Sequence, residues 1–244
     1  MTRRLDSLWF ALGVIALWQA LYQIAGDEAL ASPWQTLRQA AEMLASAGFW
    51  NHVEATFEAF GWAVLLSIVL GLAIGLVLGF SKLAGEVFEP ILNALYAIPK
   101  ITLYPVILLF FGLGLPAKVA FGTIHGIFPI ILLSMNGVRS IRPVVRKTAR
   151  ALGLSGSETI RTILLPAALP EIFSGIRIGF ALTLLGTLIG ELFASNRGIG
   201  FLLLRAADRQ DVPMTMALIL FLFVIAAAAG AGLLAIDRKL HHKA

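Results

Sequence analysis

Apolar residues run along this chain in long unbroken blocks, without the two-residue alternation of a half-buried strand. Six blocks stand out, at about 8–25, 59–80, 90–115, 117–138, 173–194 and 214–236. About 20 apolar residues carry a helix across roughly 30 Å of hydrocarbon, so each block is of spanning length. The block at 59–80 contains no charge at all. Inside lipid only helices and closed barrels satisfy their own backbone groups. The expected fold is therefore an all-α integral membrane protein of six transmembrane helices, one N-terminal helix plus a five-helix core. Residues 1–58 form the first unit, a helix with an external interfacial segment, and residues 59–244 the second. Pro99-Lys100 and Pro105 interrupt the third block, where a kink would free backbone carbonyls.

Two polar stretches between blocks exceed a turn. Residues 27–58 hold a polar-apolar helix candidate at 36–47, then WNHVEATFEAFGW, which reads as an interfacial lead into the second span. Residues 195–213 are polar and glycine-containing, and are expected to line an external vestibule. The first residues, Arg3-Arg4 and the apolar run behind them, have two readings. One is a signal peptide with Ala29-Leu30-Ala31 as its cleavage site. The other, expected here, is a retained first span.

Composition excludes an ordinary soluble chain. Hydrophobic residues make up 59% and charged residues 14%, against roughly 25% charged in globular domains. Cysteine is absent, which excludes disulfides, thiol nucleophiles and iron–sulfur ligation. A formal net charge of +5 would suggest nucleic acid in a soluble protein. Here the basic residues flank the spans, so topology accounts for them and no nucleic-acid partner is expected. With both termini inside, the cytoplasmic side carries Arg3, Arg4, Lys82, Arg139, Arg142, Arg146, Lys147, Arg150, Arg161, Arg238, Lys239 and Lys243. The outer side carries Arg38, Lys118, Arg197, Arg205 and Arg209, while Lys100 and Arg177 lie within spans. Twelve against five fits the positive-inside rule and places residues 139–170 in the cytoplasm.

That segment, RSIRPVVRKTARALGLSGSETIRTILLPAALP, is far longer than a chain reversal requires. Pro143 suits a first helical turn and Gly153 a helix stop. Ser155 and Glu158 have the spacing of a capping box. A second helix is expected to end before Pro166, because the residue preceding proline disfavours the α region. The prediction is two short helices with a bend at Gly153–Ser155. On punctuation alone, a docking element for a cytoplasmic partner and an interfacial re-entry helix fit equally well.

The same residues resemble the cytoplasmic signature of bacterial ABC-importer permeases: Glu-Ala-Ala, three residues, Gly, nine residues, Ile, one residue, Leu-Pro. Here the register gives Lys147-Thr148-Ala149, Gly153, Ile163 and Leu165-Pro166 with every spacing kept. The first two letters depart, Lys147 standing for Glu and Thr148 for Ala. The stretches YAIPKITLYPVILLFFGLGLPAK, FPIILLSMNGVRS and GELFASNRGIGFLLLRA resemble the nitrate, sulfonate and taurine group of these permeases, over about 55–240. The resemblance implies a multi-pass permease of the bacterial inner membrane, working as a homodimer with two ATP-binding subunits and an external substrate-binding protein. It implies alternating access, with Lys147, Thr148, Ala149, Gly153, Ser155, Glu158, Ile163, Leu165 and Pro166 coupling the spans to the ATPases. The implied cargo is a small organic or inorganic anion, although relatives of this kind also carry thiamine precursors. The chain has no GxxxxGK[ST] loop to cradle phosphates. ATP-Mg therefore belongs to the partner, and no cofactor, metal or enzymatic activity is expected in this chain.

Charges within spans cost about 2.5–3.5 kcal/mol at mid-depth on insertion scales, so each needs a cavity or a partner. Pro99, Lys100, Pro105, Asn136 and Glu191 are the candidates for a translocation pathway. Lys100 reads either as a snorkelling or paired residue or as a gate. Glu191 reads either as an ion pair or cap or as an outer gating or binding-protein contact, and its recurrence in the family pattern raises its rank. His125 is expected to be an interhelical hydrogen-bond donor rather than a proton relay, and Asn136 to glue helices together. Gly71, Gly75 and Gly79 repeat every four residues and predict close packing, within the subunit or across a dimer. A stand-alone channel or secondary transporter would more naturally carry intramembrane carboxylates. An intramembrane enzyme would need a constellation such as HExxH or GxSxG, which is missing.

Overall fold

The computed structural model describes residues 2–241. The side chains of Arg3, Arg4, Arg146, Arg150, Arg238 and Lys239, and the whole of Lys243, lie outside the described residues. Every regular element among those described is helical. The first two are α1 (Thr2–Ala25) and α2 (Pro33–Ala45). Ser32 opens α2 with a capping box: the Gln35 N–H donates to its Oγ at 3.2 Å, and its own N–H donates to Gln35 Oε1 at 2.7 Å. Two donors that a helix start leaves orphaned are thereby satisfied. Trp18 Nε1 ties α1 to this corner by donating to Ala31 O at 3.0 Å.

Next comes α3 (Ala47–Phe80), a single helix of 34 residues. It starts well ahead of the apolar block at 59–80 and runs unbroken through it. The expected interfacial lead is thus the first part of the same rod, about 51 Å long at 1.5 Å per residue.

The third block departs furthest from expectation. It folds as α4 (Lys82–Ala97), a 3₁₀ turn (Lys100–Leu103) and α5 (Tyr104–Phe111), with an 86° bend between the two arms. Ser81 caps α4 by accepting from the Ala84 N–H at 3.3 Å, and Pro90 lies inside that helix rather than at a span's start. Pro99 causes the break. It brings no N–H and pushes the residue before it out of the α region, and Ile98 accordingly takes φ −62°, ψ 131°.

Gly112 and Gly114, at φ +68° and +103°, turn the chain into α6 (Leu115–Arg139). There follow α7 (Pro143–Ala151), α8 (Gly156–Thr159), a π turn (Ile160–Leu164), α9 (Leu165–Ala194), α10 (Ile199–Asp208) and α11 (Val212–His241). Four stretches are long and apolar enough to cross a membrane: Ala47–Phe80, Leu115–Arg139, Gly156–Phe193 and Val212–Ala235. The bent pair makes a fifth if counted as one span, and the apolar part of α1, Trp9–Ala25, is shorter. Of the six expected spans, four are continuous helices of spanning length, one is a bent pair, and the N-terminal one is a shorter apolar helix.

Glycine sets how these helices meet. α6 is the centre, with α3 and α9 against it. The Gly71/Gly75/Gly79 stripe of α3 lies on α6, where a Cβ at Gly75 would stand 2.7 Å from Ile131 O. The stripe therefore serves a contact within the subunit. A second set, which the sequence pattern did not single out, does the same for α6 and α9. A Cβ at Gly186 would meet the His125 ring at 2.7 Å, and one at Gly179 would reach Gly126 O at 2.8 Å. Such close approach replaces hydrophobic burial as the source of cohesion in lipid. Where the three helices converge, Ser67 Oγ lies 3.3 Å from both Thr183 Oγ1 and Thr123 O.

Candidate functional sites along the bundle

The end of the bundle away from residues 139–170 is closed by a polar clamp around Glu191. This carboxylate is fully buried. The Thr56 hydroxyl of α3 lies 2.9 and 2.8 Å from its two oxygens. The Gly200 N–H donates to Oε2 at 2.9 Å, and Lys118 Nζ of α6 stands 3.5 Å from Oε1. The Ile199 N–H donates to Thr56 Oγ1 at 2.8 Å, and the Gly198 N–H to His52 Nδ1 at 3.1 Å. Lys118 Nζ also donates to Arg197 O at 3.3 Å. One buried carboxylate thus joins α3, α6, α9 and the start of α10. Of the two readings open for Glu191, these contacts are those of the ion pair and cap.

Gly198 makes the clamp possible. Its φ of +128° suits glycine alone, and a Cβ there would collide with the Glu191 carboxylate. Residues 195–213, expected as a polar vestibule loop, are mostly the helix α10. Its Ile199 and Ala206 pack with Met43, Phe49, Val53 and Leu218. The reason is tertiary, since α2, α3 and α11 supply an apolar seat for one face of α10. Beside the clamp opens a polar cleft of about 570 Å³, lined by Asn51, His52, Glu54, Glu58 and Arg197 among others.

Halfway along the bundle is the elbow between α4 and α5. Lys100 Nζ donates to Tyr96 O at 2.8 Å, a carbonyl left free at the end of α4, where cations are favoured. The ammonium lies 4.9 Å from the Tyr96 ring centroid and 5.4 Å from that of Phe128, within cation–π range. Pro99 sits at the break itself, and Pro105 lies in the first turn of α5, a position where its missing N–H does no harm.

Two other polar residues differ from expectation. His125 is buried, but its Nδ1 lies 2.8 Å from Phe121 O on its own helix. It is satisfied within α6, not between helices, and Gly186 of α9 packs directly against its ring. Asn136 is exposed on the protomer surface, so it glues no helices together within this chain.

At the opposite end lies the basic segment. α7 ends in a Schellman turn: Gly153 takes φ +72° and the Leu154 N–H donates to Ala149 O at 3.2 Å. Ala149 is fully buried, whereas Lys147 and Thr148 are exposed. After the bend, the Ser155 N–H donates to Glu158 Oε2 at 2.8 Å and the Glu158 N–H to Ser155 Oγ at 3.3 Å, completing the capping box. The second helix does not end before Pro166. It passes through the π turn, which contains Ile163, and continues through Leu165, Pro166 and Pro170 as α9 to Ala194. The carbonyl with which the Pro166 ring would clash belongs to Thr162, inside that wider turn, where the i→i−4 pattern is already relaxed. Arg139, at the head of the segment, pairs with Glu89 of α4 at 2.6 Å.

Sequence reasoning missed Thr56 and Lys118 as partners of Glu191, and His52 and Gly198 as members of the clamp around it. The nearest signal was the pair Gly198 and Gly200 shortly after an intramembrane acid, which marks a backbone coming close to a side chain.

A helical bundle with tightly crossed spans, one broken span and a capped basic segment is the fold of a multi-pass membrane protein. Residues 67–242 match the family of binding-protein-dependent transport system inner membrane components, and the chain belongs to that family. It is the permease component of an ABC importer of the nitrate, sulfonate and taurine type. It is 26% identical to the taurine transport system permease protein TauC of Escherichia coli, over 96% of this chain and 84% of the relative. It is 32% identical to the riboflavin transport system permease protein RibX of Chloroflexus aurantiacus, over 84% of this chain and 80% of the relative. The fold is similar to that of a chain of the MetNI methionine ABC transporter in an inward-facing form. There the TM-score is 0.68 at 19% identity, with 78% of this chain and 96% of that chain covered.

Proposed function

We propose that this permease imports a small sulfonate-, taurine- or nitrate-like anion as a homodimer, with both termini cytoplasmic. Two ATP-binding subunits hold ATP-Mg on the cytoplasmic side, and an external binding protein delivers the cargo. Lys147, Thr148, Ala149, Gly153, Ser155, Glu158, Ile163, Leu165 and Pro166 form the coupling element. Pro99, Lys100, Pro105 and Asn136 belong to the pathway side, while Glu191 holds the outer end in shape. Residues 1–58 act as a peripheral unit attached to the core at 59–244.

One observation carries the coupling role. From Gly156 to Phe193 the chain forms one helical span of 38 residues. A displacement of α8 by a partner is thus delivered directly into a membrane helix, with no break after Gly156. Vitamin-like or thiamine-precursor-like cargo is the second reading, favoured by the identity to RibX.

The test is transport by the permease reconstituted with its co-purifying ATPase and binding protein, with taurine, nitrate, riboflavin and a thiamine precursor as cargo. Import of an anion that needs both ATP and the binding protein is expected. Gly153→Pro is expected to insert and assemble normally, yet to hydrolyse ATP with at least tenfold less cargo moved per turnover. Import by the chain alone, without ATP, would overturn the assignment.

A further inference from the structure

Lys100 has no counter-charge among the described residues, in a position where the membrane supplies none from outside. It lies against Phe128, which stands 13 residues after Leu115 and 11 before Arg139, the two ends of α6. At 1.5 Å per residue, that is about 20 and 17 Å from either end. A lysine side chain reaches roughly 6 Å, so the ammonium cannot snorkel to either interface. Its Nζ turns back to Tyr96 O on the preceding helix rather than toward a membrane face. The buried lysine Lys118, by contrast, is matched by Glu191.

The site is also open. Lys100 is half-buried, and Tyr96, Ile98 and Ile101 around it are 36%, 40% and 44% exposed. Facing lipid would cost a cation on such a surface about 2.5–3.5 kcal/mol, and charges within spans almost always face a water-filled cavity or a partner instead. It must face water or a second copy of this elbow. One carbonyl and two aromatic faces stabilise an ammonium but leave its net charge in place. What completes it is an anion.

We propose that Lys100 is the anion-recognising group of the translocation pathway, binding the sulfonate- or nitrate-type head of the cargo at the mid-depth elbow between α4 and α5. In the homodimer two such ammonium groups would border the route, one from each copy. The inference rests on the anion-importer reading above and adds to it the residue that selects charge.

The absence of cysteine from the chain gives a direct test in the reconstituted permease–ATPase–binding-protein complex. Lys100→Met and Lys100→Gln are expected to lower anion import at least tenfold while binding-protein-stimulated ATP hydrolysis stays within twofold. Lys100→Arg should recover at least a third of wild-type import. In Lys100→Cys, an aminoethyl thiosulfonate reagent should react and raise import severalfold, whereas the sulfonatoethyl reagent should react and leave import low. Import by the Met and Gln variants within twofold of wild type would sink the proposal. So would a thiol in the Lys100→Cys variant that stays unreactive in every nucleotide state, or a positive reagent that rescues no better than a negative one. If the wild-type complex instead imports only neutral or cationic cargo, it is the anion reading of the function that fails.

Discussion

The two ends of this bundle are built by opposite means. At the Glu191 end, bonds run between elements far apart in sequence: Thr56, Lys118, Glu191 and Gly200 meet around one carboxylate. At the basic end, the bonds that shape α7 and α8 are local, from Leu154 to Ala149 and between Ser155 and Glu158. A clamp made of long-range bonds fixes several helices relative to one another, and it loosens only when the bundle does. A segment made of local bonds keeps its own shape while remaining free to be moved as a body. That division would suit the coupling role proposed for the basic segment.

The comparison breaks most severely at Glu191. Glu191→Leu removes the acceptor of the Gly200 N–H and leaves the Lys118 ammonium, 5% exposed, without its counter-charge. Removing one partner of a buried pair costs about 3–5 kcal/mol. The expected result is a marked fall in the thermal unfolding midpoint in detergent, with faster tryptic cleavage after Arg197. A stability equal to wild type would show that the clamp is not what holds this end.

Gly198→Ala is a gentler version. A non-glycine residue held in such backbone costs about 1–3 kcal/mol, and here the new methyl also faces the carboxylate. The clamp should open locally, with faster amide exchange at Ile199 and Gly200 and a smaller drop in midpoint than in Glu191→Leu. If the order of the two variants reverses, backbone strain matters more than charge at this end.

The smallest effect belongs to the basic end. Ser155→Ala removes a helix cap, about 1 kcal/mol, from a stretch bonded mainly to itself. The global unfolding midpoint should hardly move, while amide exchange at residues 156–159 rises and cargo moved per ATP falls. A global loss of stability comparable to that of Gly198→Ala would contradict the separation of the two ends.

Much of the basic end was legible in the sequence because its determinants are local. Pro143, Gly153, Ser155 and Glu158 state where a helix starts, turns and restarts, and the structure follows them. Pro166 misled for a related reason. Its effect is local too, but a π turn that ends two residues earlier absorbs it, and no residue type announces a π turn. The clamp was scarcely legible. Glu191 could be flagged as an acid in an apolar run, yet Thr56 and Lys118 reach it only because α3 and α6 cross α9 at that level. The third span was read as kinked, but the 86° bend depends on how α4 and α5 seat against α6.

By itself the sequence determined that the chain lies in a membrane, that it is helical, and where the basic segment folds back on itself, since lengths of apolar blocks and helix-ending residues act over a few neighbours. Only the tertiary structure decided that the glycine stripe of α3 faces α6, that Glu191 is sealed inside a clamp, and that Lys100 has no carboxylate partner among the described residues at mid-depth. Those facts depend on which helices meet and at what height, and in lipid that is settled by close packing and polar pairing across hundreds of atoms rather than by any residue's own preference.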